Sequence, residues 1–330
     1  MSRFGAYIKG TGSAVPERRL TNADLSKMVD TSDEWIVQRT GMRERRICGP
    51  EDSTLTLALA AAKRALDNAE MKAADLDLII LATLTPEMTS PSTSCWVQAG
   101  LGIQKHIGCF DLNAACSGFV YSLATAAQFI QNGSYQNILV IGAETLSRFI
   151  DYTDRNTCIL FGDGAGAVVM SACADPQRGL QAFNLGANGG GAPLITIPGG
   201  GSRHPASAVT VADKMHYLHM NGREVYKFAV TQMTHSIEQS MRACNLTPAD
   251  VHLVVPHQVN QRVIDAATEK MGFPKEKVFL NIERYGNTSA ASVPIALDEA
   301  RRTGRCGTGD WIIMVGFGAG LTWAGTTFKL

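Results

Sequence analysis

The stretch Leu76-Asp77-Leu78-Ile79-Ile80-Leu81-Ala82 holds one polar residue in seven. Successive side chains of a strand point to opposite faces, so a run this apolar needs cover on both. That restricts the chain to sheets with helices packed above and below. The flanking sequence supplies them. Ser53 to Ala69 carries apolar residues at helical spacing behind a Ser53 N-cap, and Ser117 to Ile130 reads as an alanine-rich helix. Ala6 to Gly12, Gly108 to Leu112, Asn137 to Ala143 and Ala165 to Met170 read as further strands. Strands alternating with helices predict an α/β fold with parallel pairs, and antiparallel ones where strands follow each other directly.

The chain also echoes itself. Met71-Lys72-Ala73-Ala74-Asp75-Leu76-Asp77-Leu78-Ile79-Ile80 is matched by Leu246-Thr247-Pro248-Ala249-Asp250-Val251-His252-Leu253-Val254-Val255. Phe161-Gly162-Asp163-Gly164-Ala165-Gly166 is matched by Gly316-Phe317-Gly318-Ala319-Gly320. The two echoes occur in the same order about half a chain apart, too far for a solenoid. They predict two related halves, 1–175 and 176–330, with the glycine-rich stretch 186–201 in the junction and surface loops.

Thirty basic residues balance 30 acidic ones, which removes whole-chain charge as a reason to expect nucleic acid or anionic lipid. Hydrophobic residues make up 45%, enough for a substantial core. The eight cysteines form no Cys-x-x-Cys, and none pairs with histidine at metal-ligand spacing, so no metal is expected. No signal-like or membrane-spanning run occurs. A soluble, reduced, cytoplasmic protein is expected.

In Asp111-Leu112-Asn113-Ala114-Ala115-Cys116-Ser117-Gly118-Phe119 a strand ends, small residues turn, and a cysteine stands where a helix begins. Helix N-termini favour a thiolate, so Cys116 is a candidate nucleophile with a lowered pKa. Taken alone it also reads as a packing cysteine. His257 directly follows the apolar run Val251 to Val255, at the strand end where α/β proteins place their sites. Asn287, in Tyr285-Gly286-Asn287-Thr288-Ser289-Ala290-Ala291-Ser292, reads alone as a turn or cap residue. The loop Gly316-Phe317-Gly318-Ala319-Gly320 leads into a strand, whereas a dinucleotide fingerprint opens a helix; no nucleotide cofactor is expected.

Together, Cys116 in its elbow, His257 in Val255-Pro256-His257-Gln258 and Asn287 in Gly286-Asn287-Thr288-Ser289 resemble the catalytic triad of the 3-oxoacyl-[acyl-carrier-protein] synthase III family. The resemblance extends through Gly10-Thr11-Gly12, Thr31-Ser32-Asp33-Glu34-Trp35-Ile36, Gly41-Met42-Arg43-Glu44-Arg45 and Phe317-Gly318-Ala319-Gly320-Leu321-Thr322-Trp323, in family order over essentially the whole chain. It implies a thiolase-like fold, two duplicated βαβαβ halves packed in α-β-α-β-α layers. It implies an acyltransferase that loads an acyl-CoA primer onto Cys116 and condenses it with malonyl-acyl-carrier protein. His257 and Asn287 would stabilise the enolate formed by decarboxylation, while the Cys116 and Ala319 N–H groups would form an oxyanion hole for the acyl transfers.

The same resemblance places CoA against Trp35, Arg39, Arg155 and Asn260, and the acidic carrier protein against Lys227, Arg262 and Lys270. It implies a homodimer, and an acyl pocket at Met88, Thr89 and Ser90, where acetyl-specific members carry a phenylalanine. Primers longer than acetyl are therefore expected. The chain lacks the second C-terminal cysteine of degradative thiolases and the two histidines of elongating ketosynthases. Alternatives are a specialised relative with an unusual primer, an acyltransferase that does not condense, or a non-catalytic scaffold, the last disfavoured by the presence of Cys116.

Overall fold

The computed structural model describes residues 4–330. Nine strands are β1 (Gly5–Ala14), β2 (Leu78–Ala82), β3 (Gly108–Leu112), β4 (Asn137–Thr145), β5 (Asp163–Cys173), β6 (Gly179–Ala187), β7 (Leu253–Pro256), β8 (Trp311–Gly318) and β9 (Thr322–Lys329). They hydrogen-bond in the order β7-β8-β9-β6-β1-β5-β4-β2-β3. The centre of that order is thin: β1 and β6 meet at one parallel pair, Ala6 with Gly179. Gly179 has φ +93, and a Cβ there would lie 1.8 Å from the Ala6 carbonyl oxygen, so only glycine fits.

Read outwards from that seam, each side has the same plan. One runs β1-β5-β4-β2-β3, with β5 antiparallel to both neighbours. The other runs β6-β9-β8-β7, with β9 antiparallel to both neighbours, and a parallel bridge from Val254 to Val278 extends it.

The longer helices among the described residues are α1 (Asp33–Thr40), α2 (Thr54–Asn68), α3 (Thr93–Gly100), α4 (Gly118–Gln131), α5 (Gly222–Ala243), α6 (Gln261–Lys270) and α7 (Ser292–Arg302), of which α2 to α7 cover the sheet. Strand alternation assigns them to layers. Ile79 and Leu81 of β2 pack with Leu57, Ala61 and Ala65 of α2 on one outer face. Val254, Ile313 and Val315 of β7 and β8 pack with Met233 and Ile237 of α5 and Ile264 of α6 on the other. The residues between them, Leu78, Ile80, Val255, Ile312 and Met314, turn inwards onto Phe119 and Leu123 of α4 and Val293 and Leu297 of α7. The result is α-β-α-β-α, with α4 and α7 as the middle layer between the two half-sheets. Among the described residues no helix is long and apolar enough to cross a membrane.

The glycine-rich stretch departs in part from its expected place. Gly186 and Ala187 complete β6, and a Cβ at Gly186 would lie 2.4 Å from the Trp323 indole. Gly189–Leu194 is a 3-10 turn, and Ile195–Thr196 pairs with His219–Met220. Gly186 and Gly191 mark close packing, against Trp323 and Leu321, whereas Gly189, Gly190 and Gly201 lie in the surface loop expected, and the segment delivers Ile195 to the cavity described next.

Candidate active site

Both middle helices are entered in the same way. A 3-10 turn, Ala115–Ser117, precedes α4, and another, Ser289–Ala291, precedes α7. Each turn opens on a residue in left-handed backbone, Ala115 at φ +47 and Ser289 at φ +48. Such conformations are strained for non-glycine residues and cluster at functional sites. The first turn carries Cys116. The second begins two residues after Asn287.

Cys116, His257 and Asn287 line one narrow, mostly apolar cavity of about 50 Å³. Leu84, Phe161, Ile195, Leu218, Phe228 and Phe317 supply much of its wall. Gly318 lets the loop after β8 reach the elbow, since a Cβ there would sit 2.6 Å from the Cys116 nitrogen. Thr322 Oγ1 fastens the two together: it lies 2.8 Å from Ser117 Oγ, 2.9 Å from the Ala114 oxygen and 3.0 Å from the Ala319 oxygen. Ala319 lines the cavity beside Cys116.

The ordinary charge state of Cys116 is the reverse of the one expected from its place before a helix. Burial pushes its thiol up to about 12, with the Glu144 carboxylate adding to the rise and the Ser289 hydroxyl opposing it. One helix terminus does not offset removal of the thiolate from water. The resting thiol is neutral and must lose its proton as it reacts.

His257 is held at three points. Its N–H donates to the Val315 oxygen at 2.7 Å, its ring meets Phe317 edge-on at 5.7 Å, and Nδ1 lies 2.6 Å from Ser292 Oγ. The Ser292 hydroxyl also accepts from the Gln258 N–H at 3.3 Å, and we assign its own proton to Nδ1. Nε2 then carries the ring hydrogen; it is buried and makes no hydrogen bond among the described residues. Burial drives the imidazole down to about 3, so it is a neutral donor.

Asn287 is fixed by its backbone, which donates to the Leu160 oxygen at 2.9 Å and accepts from the Gly162 N–H at 3.0 Å. Its Oδ1 accepts from the Ser289 N–H at 2.9 Å, which leaves Nδ2 as its free donor end. The motif around Phe161 and Gly162 therefore positions Asn287. Arg45, from Gly41-Met42-Arg43-Glu44-Arg45, is likewise structural: fully buried, it bonds Asn22 Oδ1 at 2.7 Å and the Ile159 oxygen at 2.5 Å.

A larger groove of about 890 Å³ shares Phe161, Met220, Val225, Val259 and Asn287 with the cysteine cavity and opens past Arg39, Asn260 and Arg262. At its mouth the Arg39 guanidinium lies 4.5 Å from the Trp35 ring centre and that of Arg155 lies 5.2 Å from it. Asn260 caps α6 and donates to the Arg39 oxygen at 3.0 Å. Lys227 is paired with Glu224 at 3.0 Å, Arg262 stands 5.9 Å from the Tyr226 ring, and Lys270 is exposed in the last turn of α6. Met88 and Thr89 line a third cavity of about 540 Å³, which shares Leu84, Ala115, Ile195, Leu218 and Ala319 with the cysteine cavity. Ser90 is exposed and lines none of these three.

Sequence reasoning passed over Ser289, Ser292 and Glu144. The serines were visible beside Asn287 but read as a helix start. Glu144, in Ala143-Glu144-Thr145 at the end of an apolar strand, was a findable signal, because a buried carboxylate demands partners.

Twinned half-sheets around a shared helical layer, with a cysteine at one helix start and neutral donors beside the other, define a thiolase-like α/β protein. The family model for 3-Oxoacyl-[acyl-carrier-protein (ACP)] synthase III matches residues 110–189, and that for its C-terminal part matches residues 241–330. Among curated proteins the chain is similar to a beta-ketoacyl-[acyl-carrier-protein] synthase III of Caldanaerobacter subterraneus subsp. tengcongensis, 52% identical over 99% of this chain and 98% of that protein. A Desulfitobacterium hafniense protein of the same name is 52% identical over 98% of this chain and 97% of its own length. Of solved structures, 3-oxoacyl-[acyl-carrier-protein] synthase III from Aquifex aeolicus superposes with a TM-score of 0.91 at 47% identity, covering 99% of this chain and 100% of the other. The chain belongs to the 3-oxoacyl-[acyl-carrier-protein] synthase III family.

Proposed function

We propose that this protein catalyses the decarboxylating condensation of an acyl-CoA primer with malonyl-acyl-carrier protein, giving 3-oxoacyl-acyl-carrier protein and so initiating fatty acid synthesis. The convergence of Cys116, His257 and Asn287 on one apolar cavity carries this reading. Cys116 attacks the primer thioester and holds the acyl group, with its own N–H and that of Ala319 receiving the oxyanion. As the middle residue of a one-turn 3-10 helix, Cys116 has no carbonyl within that turn to accept its N–H. His257 Nε2–H and Asn287 Nδ2–H then stabilise the enolate oxygen that appears as malonyl-acyl-carrier protein loses carbon dioxide. CoA thioester and carrier protein are substrates, and no cofactor is required.

The adenine of CoA stacks at the Trp35–Arg39–Arg155 cluster, and its pantetheine arm follows the groove past Asn260 to Cys116. The working form is a cytoplasmic homodimer. β3 ends the sheet with an exposed edge, and Trp96 and Met88 nearby are 41% and 42% exposed, which fits a second copy adding to that edge. Intact mass tests the reaction: acetyl-CoA adds one acyl group, and malonyl-acyl-carrier protein then removes it with release of carbon dioxide. An adduct that is never consumed would favour a non-condensing transferase, and no adduct a scaffold.

The carrier protein docks on Arg262, Lys227 and Lys270. Arg262→Glu is expected to raise the KM for malonyl-acyl-carrier protein about tenfold, equivalent to about 1.4 kcal/mol. Lys227→Glu should do less, because Glu224 already neutralises Lys227. Steady-state kinetics at two salt concentrations checks this, since screening over roughly 8–10 Å shrinks both effects.

Primers longer than acetyl extend from the small cysteine cavity into the cavity lined by Met88 and Thr89. Each further buried methylene contributes about 0.8 kcal/mol. Thr89→Phe is expected to shift kcat/KM towards acetyl-CoA and Ser90→Phe to leave it unchanged. Strict acetyl specificity of the unaltered protein across a chain-length series would overturn this.

A further inference from the structure

The neutral thiol of Cys116 poses a question that the triad leaves open: where its proton goes. In the tautomer assigned above His257 has no free ring lone pair for it, and burial holds the imidazole down to about 3, which makes it a poor acceptor. Asn287 offers a donor. A different group stands behind the cysteine. Glu144, at the end of β4, is completely buried. Its Oε2 accepts from Thr85 Oγ1 at 2.6 Å, Thr83 Oγ1 at 3.2 Å and the Thr85 N–H at 3.2 Å, and the Leu84 N–H reaches both oxygens at 3.2 and 3.3 Å. Its Oε1 accepts from Ser289 Oγ at 3.0 Å. The two N–H groups are obligate donors that favour the carboxylate, while the hydroxyls can serve either protonation state. The carboxylate also ties the turn after β2, through the Leu84 and Thr85 N–H groups, to the entry of α7, so its structural role has to be separated from any chemical one by the experiment.

Ser289 links this carboxylate to the reaction. It lines the cavity with Cys116, its hydroxyl acts on the Cys116 thiol, and the same hydroxyl reaches Glu144 Oε1 at 3.0 Å. We propose that Ser289 and Glu144 form the path by which the Cys116 proton leaves during acyl loading, with Ser289 as the catalytic relay and Glu144 as the positioning residue that receives the proton through it. The inference deepens the function proposed above and rests on Cys116 being the acyl acceptor.

The step balances as follows. Cys116 Sγ bonds to the thioester carbonyl carbon while its proton passes to Ser289 Oγ and the Ser289 proton passes to Glu144 Oε1. The tetrahedral intermediate then collapses, the carbon–sulfur bond to CoA breaks, and the proton returns by the same path to the departing thiolate. CoA leaves as the thiol, Cys116 is acylated and Glu144 is again a carboxylate. Burial raises Glu144 to about 7, which suits a group that must both accept and return a proton near neutrality. The ionisable group facing it across Ser289 is Cys116, and His257, neutral, stands farther along the same cavity wall.

Rapid-quench intact mass after mixing with acetyl-CoA reads the loading step. Malonyl-acyl-carrier protein decarboxylation, measured separately, reads the His257–Asn287 side. Glu144→Gln keeps the shape and removes the proton acceptor; Ser289→Ala cuts the path and keeps the carboxylate. Both are expected to slow loading by about 10²-fold, the lower end for a lost acid–base group, with decarboxylation within about threefold of wild type. Wild-type loading should rise with pH through about 7 as Glu144 ionises, and Glu144→Gln should lose that inflection. Loading at wild-type rate with an unchanged pH profile in both variants would overturn the proposal, as would an equal fall in both half-reactions, which marks a structural role. If the wild type itself forms no adduct, the underlying acyl-cysteine reading falls, an outcome distinct from normal loading in the variants.

Discussion

Cys116→Ala is expected to fold normally and to form no acyl-enzyme at all. The substitution removes one sulfur from a side chain that opens onto a cavity, so little packing is lost. The chemical loss is complete because no other nucleophile replaces it. Ser117 turns its hydroxyl to Ala114 and Thr322, and Ser289 turns its own to Glu144. The other cysteines lie outside the cavity, and burial pushes Cys109, Cys158 and Cys306 up to about 11. Intact mass after incubation with acetyl-CoA should show one adduct on the wild type and none on the variant. A persistent adduct on the variant would place the nucleophile elsewhere.

His257→Ala and Asn287→Ala are expected to separate the half-reactions in the opposite sense. Each deletes one neutral donor aimed at the enolate oxygen, and decarboxylation should fall by about 10²–10³. Acyl loading should fall far less, since its oxyanion donors are backbone groups. The loss comes from the barrier, so kcat for decarboxylation should drop without a matching rise in KM. The pH profile is a further check. Burial holds the imidazole near 3, so His257 stays neutral at any working pH and contributes no acid limb between pH 5 and 8. An acid limb near the ordinary histidine value that vanished in His257→Ala would show that the ring titrates during turnover. Decarboxylation at near wild-type rate in either variant would break the assigned division of roles.

Much of this architecture was legible from one-dimensional patterns. The apolar run ending at Ala82 demanded two covered faces, and Ile79 and Leu81 face α2 while Leu78 and Ile80 face α4. Ser53 caps α2 through a reciprocal bond with Thr56, as its position suggested. Cys116, His257 and Asn287 were each ambiguous alone and informative as a set, because Cys116 and Asn287 border turns of small residues and His257 stands at a strand end, places that packing alone also explains. What escaped were properties made by contact. The ionisation of Cys116 depends on enclosure by residues from both halves, which local helix geometry does not encode. Glu144 and Ser289 are 145 residues apart and acquire meaning only when β4 and the turn before α7 meet. The stretch 186–201 reads as junction and surface loops, which holds for Gly189 and Gly201 but not for Gly186, because glycine signals both looseness and close approach.

The paired entry turns of α4 and α7 carry a consequence beyond geometry. Ala115 and Ser289 share the same unusual backbone, so Ala290 occupies in the second half the place that Cys116 occupies in the first. One elbow carries the thiol, and the other, with no thiol, holds Ser289 and Ser292 beside Asn287 and His257. The pocket thus has the anatomy of a heterodimer interface folded into one polypeptide. The cavity exists only where elements of the two half-sheets meet, so the spacing of the two middle helices sets the distance between the thiol and its neighbouring donors.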